Sequence, residues 1–322
     1  MGEKDTITKE YMRNNSIFAD AFNYYIYGGR QVINPDELKE LDTTHIAIPF
    51  HEDSRNLKEV AYQKYRDILK SVVVKSNDDA TFVILGIENQ TKVHYAMPVR
   101  NAIYDALQYG EQVTKITKRN REKRIIVSDA EYLSGFRKDD KINPVITLVI
   151  HFGQEAWDGP MSLHEMMGKS THPEILKMVQ DYKIHLIEPA KMSKDEMMKF
   201  RTSLREVMGC IKYSKEKESF EEYLHNNPRM VMEVSAARVI RAITNTKFDI
   251  PEKEEVVDVC QAVDEMMQEK FEQGVLKGEA IGRFDTFIEL LNEGILTSQE
   301  VAERMEMTED ELQEILKNKK YL

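Results

Sequence analysis

The chain has 322 residues, of which 41% are hydrophobic and 31% are charged, the balance of an ordinary soluble protein. No stretch of about 18 apolar residues is present to span a bilayer, and residues 1–15 lack the apolar run of a secretory signal. The two cysteines, Cys210 and Cys260, indicate neither a disulfide framework nor a structural zinc site. We therefore expect a cytoplasmic protein with more than one domain.

The net charge of −11 is unevenly distributed along the chain. Residues 1–150 carry 22 basic and 22 acidic side chains, so the excess acidity lies in the second half. Six of the ten residues at 115–124 are Lys or Arg. A local basic segment attracts phosphate whatever the global charge. A solvated basic loop or helix end explains the same segment equally well.

The first half of the chain predicts alternating helices and strands. In chain order we predict a helix capped by Ser16 and ended by Gly28 and Gly29, hairpin strands at 67–75 and 81–88 around a turn at 76–80, a helix opened by Pro98, and strands at 143–153 and 182–189. The strand at 81–88 is almost wholly apolar, as expected of a central strand covered on both faces. This pattern indicates the α/β class.

The second half is predicted to be largely helical. From Glu252 to Asn292 the pattern has few breaks, and Gly274, Gly278 and Gly282 form a row that either permits close packing or weakens the helix. Two capping boxes, Thr297 to Glu300 and Thr308 to Glu311, predict two short helices that resemble a helix-turn-helix. The second of these helices is too acidic to approach phosphate. We therefore predict self-association or capping there, with a homo-oligomer formed through the C-terminal helices.

Two carboxylates mark the ends of the predicted hairpin. Asp67 opens the first strand and Glu88 closes the second, so antiparallel pairing brings them together. Two such carboxylates repel unless one is protonated or a cation bridges them, and Mg²⁺ is the usual cation. Alternation places Glu88 and Gln90 on one face of the strand. Isolated acids at strand ends are more often solvated edge residues. The two carboxylates therefore indicate a metal site only together with the surrounding motifs.

Those motifs resemble a known family. An acid that opens one strand, followed by an acid-x-Lys or acid-x-Gln that closes the next, resembles the core of the PD-(D/E)XK nuclease superfamily. The segments FADAFNYYIYGG, YRDILKSVV, FVILGIENQ and YAMPVRNAIYDALQYGEQ resemble its recombination-promoting nuclease and transposase branch, over roughly residues 14–190. The resemblance implies a restriction-endonuclease-like α/β core of order αβββαβ, with a mixed sheet flanked by helices, followed by an α-helical C-terminal region. The domains expected are a nuclease-like domain at 1–190, a helical extension at 191–250 and an acidic helical tail at 251–322.

The resemblance also implies a site and an activity. Asp67 and Glu88 would bind Mg²⁺, for which Mn²⁺ would substitute, while Gln90 occupies the lysine position and Asp20 completes the metal shell. The residues expected to contact DNA are Arg100, Tyr104, Arg119, Arg121, Lys123 and Arg124. The implied activity is that of a Mg²⁺-dependent DNA endonuclease linked to mobile elements or recombination.

Several alternatives stay open from sequence. Arg66 replaces the proline of the motif, and Gln90 replaces a lysine that stabilises developing negative charge, which lowers the expected rate. Asp20 could simply complement its helix dipole, and Arg100 with Tyr104 could form a pair at the rim of the core. The alternative function is a catalytically inactive nuclease-fold protein that binds nucleic acid or acts as a scaffold.

Overall fold

A computed structural model describes residues 2–42, 44–47, 62–65, 67–76, 79–168, 170–251 and 253–318. The helices are α1 (Glu3–Arg13), α2 (Asn15–Tyr27), α3 (Met97–Glu122), α4 (Asp129–Ser134), α5 (Pro173–Met178), α6 (Lys194–Met197), α7 (Leu204–Tyr213), α8 (Lys217–His225), α9 (Val234–Thr244), α10 (Val259–Asn292), α11 (Ser298–Arg304) and α12 (Glu309–Asn318). The strands are β1 (Lys39–Glu40), β2 (Thr44–Ala47), β3 (Tyr62–Tyr65), β4 (Ile68–Ser76), β5 (Asp79–Gln90), β6 (Val145–His151), β7 (His185–Ile187), β8 (Val231–Glu233) and β9 (Val256–Asp258).

The chain forms two compact units, Met1–Cys260 and Gln261–Leu322. The finer three-part division expected from the sequence stays a prediction. Among the helices that the structure describes, none combines the length and the apolar character needed to cross a membrane.

A five-stranded mixed sheet forms the centre of the first unit. Its strand order is β1-β4-β5-β6-β7, with β1, β4 and β5 antiparallel and with β6 and β7 parallel to β5. The chain order α2, β1, β4, β5, α3, β6 is the predicted αβββαβ core. The antiparallel pair β2–β3 is inserted between β1 and β4. The α/β fold with a restriction-endonuclease-like core is therefore confirmed.

Strand β5 is central because its sequence can be buried on both faces. Residues 83–89 are all buried, and β4 and β6 pair with the strand on either side. Side chains alternate between the two faces, so Leu85 and Ile87 point to one side and Ile84 and Glu88 to the other. A run of apolar residues therefore delivers a carboxylate into the interior of the protein.

Helices cover both faces of the sheet. On one face, the α3 residue Tyr109 packs against a cluster of Leu69, Ile84 and Val145. On the opposite face, the buried Lys70 of β4 donates from Nζ to the Arg13 carbonyl and to Asn15 Oδ1, both at 2.5 Å. The helices α1 and α2 thus lie on the opposite face of β4 from α3.

The start of the first predicted helix differs from the prediction. Helix α2 begins at Asn15 rather than after Ser16, because the Asn14 side chain accepts a hydrogen bond of 2.8 Å from the Ser16 N–H and is itself the N-cap. Its end at Gly28, in the left-handed conformation with φ of 62°, is as predicted. Helix α1 was not predicted, since its apolar residues are few.

The beginning of the long C-terminal helix also needs correction. Residues 256–258 form β9, which pairs with β8, and α10 begins at Val259 rather than near Glu252. The adjacent valines Val256 and Val257 favour a strand because β-branched side chains suit a pleated, half-buried surface. An added Cβ at Gly274, Gly278 or Gly282 would meet nothing within 4 Å, so within the described residues this glycine row mediates no close packing.

The end of the second unit is as predicted. Thr297 with Glu300, and Thr308 with Glu311, form reciprocal capping boxes at the starts of α11 and α12. Their apolar faces meet the end of α10 in a cluster built on Phe284, Val301, Ala302 and Leu312. The two short helices therefore form a small core with the last turns of α10.

Candidate active site

Asp67 and Glu88 lie beside each other at one end of the β4–β5 hairpin. The pairing of Ile68 with Ile87 places Asp67 opposite Glu88 as the next pair. The Asn89 N–H donates to Asp67 Oδ2 at 2.8 Å, and the Asp67 N–H lies 3.4 Å from Glu88 Oε1. Each carboxylate thus accepts a hydrogen bond from a backbone N–H of the opposite chain segment, which holds the two acids together. Arg66, which occupies the proline position, lies outside the described residues.

Glu88 is the more deeply placed of the two acids. Its side chain is fully buried, and Arg100 Nη2 lies 2.9 Å from its Oε2. A carboxylate stays charged in such a place only when a cation or hydrogen bonds compensate its lost hydration. Arg100 supplies that compensation from the first turns of α3, and its side chain is 30% exposed.

The Asp67 carboxyl combines partial burial with several nearby charges. Burial raises the pKa of this carboxyl, and the Asn89 N–H, Lys9 and Arg100 offset part of the rise, while Asp5 adds to it. Asp5 and Lys9 lie four residues apart on α1 and therefore share one face of that helix. Asp5 Oδ1 accepts a hydrogen bond of 3.0 Å from Thr91 Oγ1, which holds this face against the end of β5.

Gln90 ends β5, where alternation places its side chain on the face of Glu88. It is half-buried, it follows Glu88 by two residues, and its carbonyl accepts a 2.7 Å hydrogen bond from the Phe152 N–H. The buried Lys70 does not replace the missing lysine, because alternation puts it on the opposite face of the sheet. Among the described residues, Lys9 and Arg100 are the cations whose charge lowers the pKa of Asp67.

Arg100 and Tyr104 form the pair expected from their four-residue spacing. The Arg100 Nε–H donates to the Tyr104 hydroxyl at 3.1 Å, and the guanidinium lies over the ring at 5.6 Å from its centroid. Tyr104 is buried, and burial together with the charge of Glu88 raises its pKa. The neutral tyrosine thus fixes the orientation of the arginine.

Asp20 has a different set of contacts from the one that the resemblance implied. Its carboxylate accepts hydrogen bonds from the N–H groups of Arg201 and Thr202, the shortest at 2.8 Å, and from Thr202 Oγ1 at 2.7 Å. Asp20 is buried and joins α2 to the segment that leads into α7. Asp20 therefore links two segments of the chain. Within the described residues, its hydrogen bonds are to Arg201 and Thr202 and not to Asp67 or Glu88.

The basic segment 115–124 forms the last turns of α3 and its C-terminal end. Arg119 lies about 28 Å along the helix from Arg100 at a rise of about 1.5 Å per residue. Arg119 Nη2 lies 3.3 Å from Asp140 Oδ1, while Lys123 is the helix C-cap and Arg124 has a positive φ of 53°. The Arg121 guanidinium lies against Gly135, where an added Cβ would meet it at 3.2 Å. The structure therefore separates this segment from the two acids.

The paired acids suit a hard divalent cation. Mg²⁺ takes oxygen ligands and is commonly bound by one or two carboxylates, which Asp67 and Glu88 provide. Asp67 is half-buried, and within the described part of the chain no hydrogen bond to its Oδ1 is found. Burial raises the pKa of Asp67, and a bound cation would favour its charged form. The donor set thus fits the implied metal.

Helix α1 contributes to the site without a distinctive sequence signal. Lys9 and Asp5 act on Asp67 from a helix that lies more than fifty residues earlier in the chain. The only available signal was the four-residue spacing of an acid and a base in a polar segment, which is common on solvated helices.

Comparisons with known proteins bear on the family of the chain. No curated protein and no solved structure shows significant similarity to the chain. Residues 35–241, well over half of the sequence, match the family described as "putative transposase, YhgA-like". This range contains Asp67, Glu88, Gln90 and Arg100, together with the strands and helix that carry them. The chain belongs to the YhgA-like transposase family, as the sequence motifs had indicated.

Proposed function

We propose that this protein is a metal-dependent DNA endonuclease that acts in the cytoplasm on DNA of mobile elements or in recombination. The observation that carries the proposal is the pairing of Asp67 with Glu88 at the hairpin end, beside a half-buried glutamine and an arginine. Membership of a transposase family supports DNA as the substrate.

Asp67 and Glu88 would hold Mg²⁺, or Mn²⁺ in its place. When bound, the ion would polarise the scissile phosphate and acidify the attacking water. Gln90 lies on the face of Glu88 and orients that water through its amide. The Arg100 guanidinium turns from Glu88 towards the scissile phosphate. It can do so because its side chain is partly exposed to solvent. Tyr104 positions Arg100, and Lys9 contributes the positive charge that Gln90 cannot supply.

A second candidate function rests on the same contacts. The ion pair between Arg100 and Glu88 already compensates the buried carboxylate, and no lysine follows at position 90. A protein with this arrangement could retain the fold for binding or scaffolding and perform no cleavage. Metal binding and cleavage therefore need to be measured together.

The test compares the wild type with Glu88→Gln and Asp67→Asn on supercoiled plasmid DNA with Mg²⁺, Mn²⁺ or chelator. Glu122→Gln and Asp139→Asn serve as matched controls, because both of these acids are exposed. We expect metal-dependent nicking by the wild type and both controls and none by the two site variants. Metal should also raise the melting temperature of the wild type and controls more than that of the site variants.

Nicking by the site variants at the wild-type rate would disprove the proposed site. Metal stabilisation that depends on Asp67 and Glu88, without any nicking, would favour the binding or scaffold function.

A further inference from the structure

A basic cavity lies between α1 and α9 in the first unit. It has a volume of about 480 Å³, and its lining includes Lys4, Arg238, Arg241 and Lys247. The carboxylate among the lining residues is Glu3. This concentration of positive charge stands out in a chain whose net charge is −11.

Local structure explains why these cations converge. Arg238 and Arg241 are three residues apart on α9 and therefore lie on one side of that helix. Asn245 follows the helix in the left-handed conformation, with φ of 56°, and turns the chain so that Lys247 lines the same cavity. The Lys4 Nζ donates to Asn245 Oδ1 at 2.8 Å, which ties α1 to this turn.

Within the described residues, two of the six basic residues at 115–124 have an acidic partner. Arg119 is paired with Asp140 and Lys115 with Glu111. Throughout the described parts of the chain, no ion pair involves Arg238, Arg241 or Lys247. Their charge is therefore available to an anionic ligand.

A second cavity shares a lining residue with the basic cavity. Lys4 also lines a second cavity, of about 580 Å³, whose other lining residues include Thr91, Lys92 and His151. Thr91 directly follows Gln90, and Asp5 binds its hydroxyl. Lys4 is thus common to the cavity at the end of β5 and to the cavity lined by the exposed Arg238 and Lys247.

We propose that the α1–α9 groove, defined by Lys4, Arg238, Arg241 and Lys247, binds the phosphodiester backbone of the DNA that enters the site. Arginine suits this ligand because its planar guanidinium binds phosphate oxygens in pairs. The two arginines, with Cβ atoms about 5–6 Å apart, can contact neighbouring phosphates of one strand. The inference rests on the proposed function for its substrate, but the groove can be tested without cleavage.

Binding is measured by fluorescence anisotropy with a labelled DNA duplex, in chelator and on the Glu88→Gln background, so that no strand is cut. The groove variant carries Lys4→Ala, Arg238→Ala, Arg241→Ala and Lys247→Ala. The matched control carries Lys177→Ala, Lys217→Ala, Lys277→Ala and Arg283→Ala at four exposed positions, which removes the same amount of positive charge. Affinity is followed from about 50 to 200 mM salt, a range in which phosphate contacts dominate the change.

We expect the groove variant to lose at least about tenfold in affinity at the lowest salt. Its slope of log affinity against log salt should fall by about 0.9 for each phosphate contact removed. The matched control should change both quantities much less. An affinity and slope equal to those of the parent, or a larger loss in the matched control, would overturn the inference.

Two further measurements keep the outcome decisive. The single exchange Arg238→Glu affects an exposed side chain and should weaken binding without unfolding the protein, which circular dichroism checks. Arg238→Lys should retain most of the binding.

If the groove binds DNA but the wild type never cuts it, the proposed function is wrong and the inference about the groove is supported. If the wild type cuts DNA and the groove variant binds and cuts equally well, only the inference about the groove is wrong.

Discussion

Arg100 Nη2 lies 2.9 Å from Oε2 of the fully buried Glu88. The protein thus compensates its most buried candidate catalytic acid with an arginine that is itself partly exposed. Two neighbouring carboxylates were expected to repel each other unless a metal joined them. In the structure, the arginine reduces that repulsion by compensating the charge of Glu88.

The first prediction concerns this ion pair. Arg100→Met should lower the free energy of unfolding by about 3 kcal/mol, because it leaves Glu88 buried without its cation. Combining it with Glu88→Gln should recover much of the loss, since the buried group is then neutral. Urea unfolding of the two single variants and the double variant measures this coupling. Losses that simply add would show that the two side chains do not interact energetically.

The second prediction uses the titration of Asp67. A carboxyl whose pKa is higher in the folded than in the unfolded chain binds its proton more tightly when folded, so stability falls as pH rises through that pKa. Asp67→Asn should therefore raise the melting temperature of the metal-free protein at neutral pH, with a difference that shrinks towards about pH 4. Asp139→Asn is the control. A variant less stable than the wild type at neutral pH would contradict the assignment of the raised pKa.

The third prediction separates Asp20 from the metal site. Asp20→Ala should lower the free energy of unfolding by about 3 kcal/mol, since it leaves the buried N–H groups of Arg201 and Thr202 without an acceptor. The increase in melting temperature on adding Mn²⁺ should stay as large as in the wild type. A smaller increase would indicate that Asp20 is a metal ligand, as the resemblance implied.

The fourth prediction concerns the water-orienting amide. Gln90→Lys should cut DNA at least as fast as the wild type, because a lysine on this face adds a positive charge near the reacting phosphate. Gln90→Met should cut up to about tenfold more slowly, the effect of losing one hydrogen bond. The measurement compares the initial rates of plasmid nicking by the wild type, Gln90→Lys and Gln90→Met. Equal rates for all three proteins would remove Gln90 from the site.

The fifth prediction concerns self-association through the C-terminal helices. Phe271 and Leu276 of α10 are 68% and 65% exposed, so an assembly formed through this helix could bury them. Phe271→Glu with Leu276→Glu should reduce the assembled mass measured by light scattering and leave nicking per folded chain unchanged. Glu269→Gln with Glu272→Gln provides a control on the same helix. An unchanged mass in the first variant would place any assembly elsewhere.

The parts of the fold that the sequence predicted are those with local signals. The apolar run that ends in Glu88, the proline at the start of α3 and the two capping boxes each depend on residues close together in the chain. The contacts of Asp20 could not be predicted, because its partners lie at 201 and 202 and no spacing rule connects them. The same holds for Arg100, whose helix face was predicted but whose buried partner depends on how α3 crosses the sheet.

Helix α1 has a practical consequence for how the domain is delimited. The family match begins at residue 35, yet Lys9 and Asp5 act on Asp67, and the Arg13 carbonyl accepts from the buried Lys70. An expressed fragment limited to the matched range would lack these groups. It would also expose the face of the sheet that α1 and α2 cover. We expect such a fragment to aggregate, whereas a fragment that retains residues 2–260 keeps every group of the proposed site and of the groove.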